Sequence, residues 1–300
     1  MASRLEQWLA RLDAARDGEA SQRLTLCQEA LAKAPGAAVA RAAGFLRQQE
    51  YPGWEHLAVD AFERLGVDGA KVDPGCLGRL ALADALLEVE WPQSEPWWSG
   101  LQTVQWEAVW GGRVDAAAAL RGRCALGFVR CGDPRGAVAL AALLADAEPE
   151  CRQGAVRALR EAPELWALPL LAHRAVADVE SMDLQLDLFQ GLLERDNDSA
   201  CQLVATALRL GRPETREAAA IALGEQGGAP GALLLWALLD EAVLPHARRA
   251  AWLGLALSRC AEGRQALLAQ LKDAPRALRR EAAEALEGLR DKELEALLER

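Results

Sequence analysis

Apolar residues recur along this chain three and four positions apart with charged residues between them, the spacing of a buried stripe on an α-helix. Rows of 32 residues beginning at Leu120, Arg152, Leu184, Arg216, Arg248 and Arg280 bring the same features into the same columns, the mark of a repeat architecture. The first helix of each row is the clearest, at residues 153–159, 217–223, 249–255 and 281–286, where alanines close on a leucine. Turns then recur near Gly132-Asp133-Pro134, Ala162-Pro163, Asp196-Asn197-Asp198, Gly227-Gly228-Ala229-Pro230 and Glu262-Gly263, where Gly, Pro and Asx residues favour a reversal of direction. A second helix follows, with apolar columns at Leu140/Leu143/Leu144, Leu171/Ala175, Leu203/Ala207, Leu235/Leu239 and Leu267/Leu271. It ends near Asp146, Asp178, Gly211, Asp240 and Asp273. Pro149, Pro213, Pro245 and Pro275 then stand where a new helix begins, since a first helical position has no use for the missing N–H.

The rows resemble bacterial HEAT-like repeats, including those first described in phycobilin lyases: Arg-x-x-Ala-x-x-Ala-Leu-Gly on the first helix, then a turn and a Leu-rich second helix closed by Asp. Arg216 to Gly224 and Arg152 to Leu159 carry the likeness best. The row at Leu184 departs from it by lacking the Arg and Ala. The resemblance covers residues 120–300 and implies an all-α, right-handed α-solenoid of stacked helical hairpins with a period of about 32 residues. Such arrays host many functions, so it implies little about chemistry.

Upstream the frame is looser. Residues 19–34 and 37–50 read as one helical hairpin around Pro35-Gly36, and residues 54–65 and 76–90 as another, turning through Asp73-Pro74-Gly75. Residues 3–16 read as a lone helix capping an open end, which a solenoid requires. The expected organisation is N-terminal hairpins with their capping helix at 1–92, a Trp-rich junction helix at 93–115, and regular repeats at 116–300, forming one continuous solenoid.

Composition agrees with a helical chain. Ala and Leu account for 114 of the 300 residues, whereas Ile, Val and Thr together number 20, too few to furnish a sizeable sheet. The net charge of −10 opposes phosphate backbones on average, which makes nucleic acid an unlikely partner. The longest uncharged stretch, residues 227–239, is broken by Pro230 and is short of the roughly 20 residues that span a bilayer. No export signal opens the chain. Seven scattered cysteines without a C-x-x-C pair fit buried thiols in a reducing cytoplasm, not a disulfide framework or a zinc site.

Candidate chemistry is sparse. Residues 91–115 hold five of the ten tryptophans. Ser94 can cap a helix opening with Glu95 and Pro96. On that helix Trp97, Leu101, Val104 and Ala108 form one apolar stripe, while Gln102, Trp106 and Trp110 run along another face. Two readings stand: the rings pack a junction between irregular and regular hairpins, or Trp106, Trp110, Glu107, Arg113 and Asp115 form a partner or ligand site. His173 and Arg174 fall on a second helix, which in HEAT-like arrays lines the concave side, and so are further candidates for contact. Acidic residues crowd 178–198 and basic ones 246–280, a polarity able to orient a partner. Arg152, Arg216 and Arg248 are expected to bond turns or acids within the stack.

The expected function is a monomeric, non-catalytic scaffold or adaptor that binds another protein along its concave face, with no cofactor and no metal. Two enzyme readings remain as alternatives: a HEAT-like DNA glycosylase using Trp106, Trp110 and Asp115 as an aromatic cleft with its acid, and a bilin-lyase-like protein, which rests on the resemblance alone.

Overall fold

In the computed structural model, which describes residues 3–47, 53–177, 181–195, 197–240 and 245–286, the regular structure among these residues is helical apart from one two-stranded ribbon. It divides into two compact units, residues 1–162 and 163–300.

The first unit builds two layers from consecutive helices. One layer holds α3 (Gly36–Arg47), α6 (Leu77–Glu88), α8 (Ala118–Arg130) and α10 (Pro149–Glu161). The other holds α2 (Ala20–Lys33), α4 (Glu55–Gly66), α7 (Glu95–Leu101) and α9 (Gly136–Leu144). Each helix of the first layer packs on the next in that layer and on its sequence neighbour across the layers, so every apolar stripe is covered by the adjoining pair. The short α5 (Gly69–Val72) lies in the connection between α4 and α6. At one end α1 (Arg4–Ala14) buries Trp8 and Leu12 while packing against α2 and α3, the capping role expected of it. Ser3 and Glu6 close a reciprocal capping box at its start.

The second unit repeats the scheme. The helices α12 (Met182–Leu193), α14 (Pro213–Gln226), α16 (Pro245–Ala256) and α18 (Arg276–Ala285) follow one another in one layer. Their partners are α11 (Glu164–Ala175), α13 (Asn197–Leu210), α15 (Gly228–Asp240) and α17 (Ala261–Asp273). Each unit is thus a HEAT-like stack of helical pairs. Pro149, Pro213 and Pro245 open α10, α14 and α16 as the sequence predicts, and Pro275 is the N-cap of α18.

Packing follows the repeat columns with one exception. Leu140, Leu143, Leu144, Leu171, Ala175, Leu235, Leu239, Leu267 and Leu271 are all buried. In α13 the buried stripe is Cys201, Val204, Ala205 and Leu208, whereas Leu203 and Ala207 are only half-buried, so the expected column is one residue out of register. The close crossing of α8 and α10 depends on Gly122 and Gly154, 32 positions apart. A Cβ on Gly154 would stand 2.2 Å from the Gly122 Cα.

Two of the repeat arginines, Arg152 and Arg248, act within the stack. Arg152 donates to the carbonyls of Asp146 and Ala147 at 2.8 and 2.9 Å, and Arg248 pairs with both carboxylate oxygens of Glu281. None of the seven cysteines is in a disulfide. Cys131 and Cys260 are half-buried and the other five are buried. Part of the acidic cluster expected at 178–198, namely residues 178–180 and 196, lies outside the described residues, as do residues 48–50 of the second predicted helix.

Candidate functional site

The single junction helix predicted for residues 93–115 is two elements. Helix α7 ends at Leu101, and the chain then turns into a β-hairpin of β1 (Trp106–Val109) and β2 (Gly112–Asp115). The strands are antiparallel, pairing Trp106 with Asp115, Glu107 with Val114, Ala108 with Arg113 and Val109 with Gly112. Val, Trp and Thr favour extended backbone here, and the two-residue loop Trp110-Gly111 needs a residue that tolerates the positive φ of 86° at Gly111. The i, i+4, i+8 face of Gln102, Trp106 and Trp110 therefore does not exist. Trp97 and Leu101 are buried as expected, but Val104 and Ala108 are exposed. Ser94 precedes α7 without a side-chain capping bond.

A chain of buried polar groups fixes the hairpin base. Asp115 accepts on Oδ1 from the Gln105 and Ala117 amides at 2.9 and 3.0 Å, and on Oδ2 from Arg121 Nη1 at 2.5 Å. Arg121 in turn donates to the Thr103 carbonyl at 2.9 Å and to both oxygens of Asp146 at 3.1 Å, tying the hairpin to the segment after α9. The side chains of Arg121 and Asp115 are only 5% and 4% exposed, so the arginine's loss would strand a charge out of water.

On the other side Arg79 donates to Gln105 Oε1 and, at 3.1 Å, to Asp73 Oδ2. Gln105 Nε2 donates to the Asp73 carbonyl at 3.0 Å and to Glu107 Oε1 at 2.6 Å. Glu107 Oε1 also accepts from the Gly75 amide at 2.7 Å. Asp73, Arg79 and Gln105 are all buried. Seven polar side chains from four separate segments thus converge on the root of a ten-residue projection.

Burial alone would raise the Asp115 carboxyl pKa, but bonds from the Gln105 amide, Arg121 and the Ala117 amide outweigh it and hold the carboxyl below its ordinary range. Asp146 behaves in the same way, burial being outweighed by the Glu148 amide and Arg121. The Arg121 guanidinium is raised despite burial because Asp115 and Asp146 favour its charge. The nearby Cys76 thiol is pushed up to about 11 by burial, which leaves it neutral and unreactive.

Beyond this root the hairpin stands in solvent. Trp110 at the tip is 104% exposed. Trp106, Val109 and Val114 are about half exposed, and the Arg113 guanidinium stacks 4.6 Å from the Trp106 ring centroid. The five candidates from this segment are therefore brought together but do different work. Glu107 and Asp115 belong to the root, and Trp106, Trp110 and Arg113 form the exposed surface. The sequence does hold a signal for this arrangement, because Trp-Gly-Gly between two alternating runs is turn chemistry, which the count of helical periods passed over.

His173 is exposed and Arg174 half-buried on α11 of the second unit. Near them lies a recess of about 360 Å³ lined by Ala175, Val176, Leu203, Ala207, Leu210 and Thr215. The displaced stripe of α13 leaves Leu203 and Ala207 there. Among the described residues no group of three His, Cys, Asp or Glu side chains is placed to hold a metal ion, and no helix is long and apolar enough to cross a membrane.

No family model matches this chain, and no curated protein does. Among solved structures it is similar to the complex of CpcE and CpcF of phycocyanin lyase from Nostoc sp. PCC7120, at 17% identity and a TM-score of 0.41, over 84% of this chain and 95% of that one. It is also similar to human deoxyhypusine hydroxylase in complex with glycerol, at 18% identity and a TM-score of 0.34, over 92% of this chain and 96% of that one.

Proposed function

We propose that the chain is a non-catalytic protein-binding module whose anchor is the Trp106–Asp115 hairpin, with the adjoining helical layers supplying the wider contact. The observation that carries this is Trp110, wholly exposed at the tip of an arm whose root is held by buried ion pairs. Covering a ring of 150–250 Å² releases roughly 4–6 kcal/mol, and a root already ordered in the free chain spares most of the entropy of arranging it on binding. Tryptophan and arginine are the residues most often found at the energetic centre of protein interfaces, and the hairpin presents both. Seven cysteines with no disulfide among them suit the reducing cytoplasm in which such a module would work.

The glycosylase reading asks Asp115 to act on a nucleotide. Both of its oxygens are already engaged with Gln105, Ala117 and Arg121, which argues against it. The lyase reading gains no residue from the site. His173 and Arg174 remain candidates for a separate contact made by the second unit.

A photoreactive phenylalanine analogue placed at Val109 beside the intact Trp110 tests the proposal in living cells. The expected result is a discrete adduct with another polypeptide that is absent when the analogue replaces Val67, an exposed residue of the same unit. Trp110→Ala should abolish the adduct while changing stability by less than about 0.5 kcal/mol. Equal labelling from both positions, or none from Val109, would contradict it.

A further inference from the structure

The hairpin is a two-stranded ribbon with unpaired backbone along its outer side, and the parity of its ladder shows which groups point outward. The Ala116 amide donates to the Gln105 carbonyl at 2.8 Å, so Gln105 and Ala116 form a hydrogen-bonded pair. Such pairs alternate in an antiparallel ladder. Glu107 with Val114 and Val109 with Gly112 are therefore the next bonded pairs, and the N–H and C=O groups of Trp106 and Ala108 point away from β2. Among the described residues these groups have no backbone partner outside the ribbon. The outer edge of β2 is interrupted at its root, where Asp115 is buried. The edge of β1 is the open one.

Every second residue of β1 and the turn reads Trp106, Ala108, Trp110: large, small, large. This pattern is complementary to itself across a two-fold axis. If β1 meets a second β1 antiparallel with Ala108 opposite Ala108, the two outward residues are in bonding register. Trp106 of each copy then faces Trp110 of the other, on both sides of a narrow centre. Glu107 falls opposite Val109, so no like charges oppose each other directly. The Arg113 side chains are kept three strand spacings apart, about 14 Å, which exceeds the screening length at physiological salt. The root carboxylates Glu107 and Asp115 are tied inward by the Gly75 amide, Gln105 and Arg121, which leaves Arg113 as the free charge of the arm.

Resting on the reading of the hairpin as a protein-binding arm, we infer that its partner is a second copy of this chain, joined by β1 to β1 into a four-stranded sheet. The pairing would turn a marginal two-stranded ribbon into a sheet of stable size and would cover both exposed tryptophans. The four residues of β1 are far fewer than the roughly 20–30 a side of a standard interface, so the dimer is weak and reversible. The monomer expected from sequence is its dilute limit.

Sedimentation equilibrium of the full chain, from low micromolar to near-millimolar concentration, tests the inference. The expected result is a monomer–dimer equilibrium. Ala108→Pro should weaken it at least tenfold, because this proline removes an N–H that points outward and leaves the internal ladder intact. Ala108→Lys, which keeps the backbone and places two like charges across the axis, should do the same. Val67→Lys, at an exposed position of the same unit outside the hairpin, should leave the constant within about twofold. A chain that stays monomeric throughout the range overturns the inference, and so does a dimer that is indifferent to both Ala108 substitutions. Should the Val109 probe meanwhile capture a different polypeptide, the binding arm would survive and only the second copy would be lost.

Discussion

Arg121→Met should destabilise the first unit by about 3–5 kcal/mol, a loss readable as a shift in its denaturation midpoint. The side chains of Asp115 and Asp146 are 4% and 19% exposed, and both rely on this one guanidinium for their countercharge. Methionine fills a similar volume, so the effect would come from stranded charge and not from a cavity. The pH dependence follows with a definite sign. In the parent chain both carboxyls are held below their ordinary range, so their contribution is fully present above about pH 4, the unfolded carboxylate value, and is lost as pH falls through the lower folded values. Without Arg121, burial is opposed chiefly by backbone amides, so both values rise relative to the parent. The stability gap between variant and parent should therefore narrow as pH falls below about 4. A variant as stable as the parent at neutral pH would mean that the root is not held by this pair.

Gly154→Val is the second large effect, about 3 kcal/mol or somewhat more. The obstacle to a side chain here is the backbone of Gly122, whose Cα and carbonyl carbon would lie 2.2 and 2.7 Å from the new Cβ. No rotamer relieves that contact, so α8 and α10 must separate. Both helices belong to the layer that carries the hairpin root, since Arg121 is on α8. The variant should therefore lose cooperativity in unfolding of the first unit as well as stability. Gly112→Ala, with nothing within 4 Å of its Cβ, is the matched control and should cost little. A tolerated valine at 154 would show the helix crossing to be looser than described.

These two residues also show what the sequence made legible. Gly122 and Gly154 fall in the same column of the 32-residue rows, and that periodicity placed the helical pairs and their opening prolines, although Glu262-Gly263, expected as a turn, lies in the first turn of α17 (Ala261–Asp273), where Cys260 is the N-cap. It succeeded because each helical pair needs the same stripe covered by its neighbour, a local demand repeated down the chain. The hairpin broke that rule. Leu101, Val104 and Ala108, and likewise Gln102, Trp106 and Trp110, also satisfy a helical spacing, and only the Gly111-Gly112 turn and the alternation around it distinguish the two conformations. Nothing local could show that Asp73, Arg79, Gln105, Asp115, Arg121 and Asp146 meet, because they are brought together by helix packing over more than 70 positions. The register slip in α13 is of the same origin: Val204 and Leu208 compete with Leu203 and Ala207 for the interior, and tertiary contacts decide between them.

The most direct measurement of the mounted arm is residue-resolved amide hydrogen exchange across 103–117 at low protein concentration. The account predicts protection of Glu107, Val114 and Ala116, whose N–H groups close the ladder and its root, alongside rapid exchange at Ala108 and Arg113, whose N–H groups face water. Protection running continuously from Gln105 through Trp110 would instead mark a helix, and uniformly fast exchange would mark a loose loop. Either result would remove the rigid support on which the presentation of Trp110 depends.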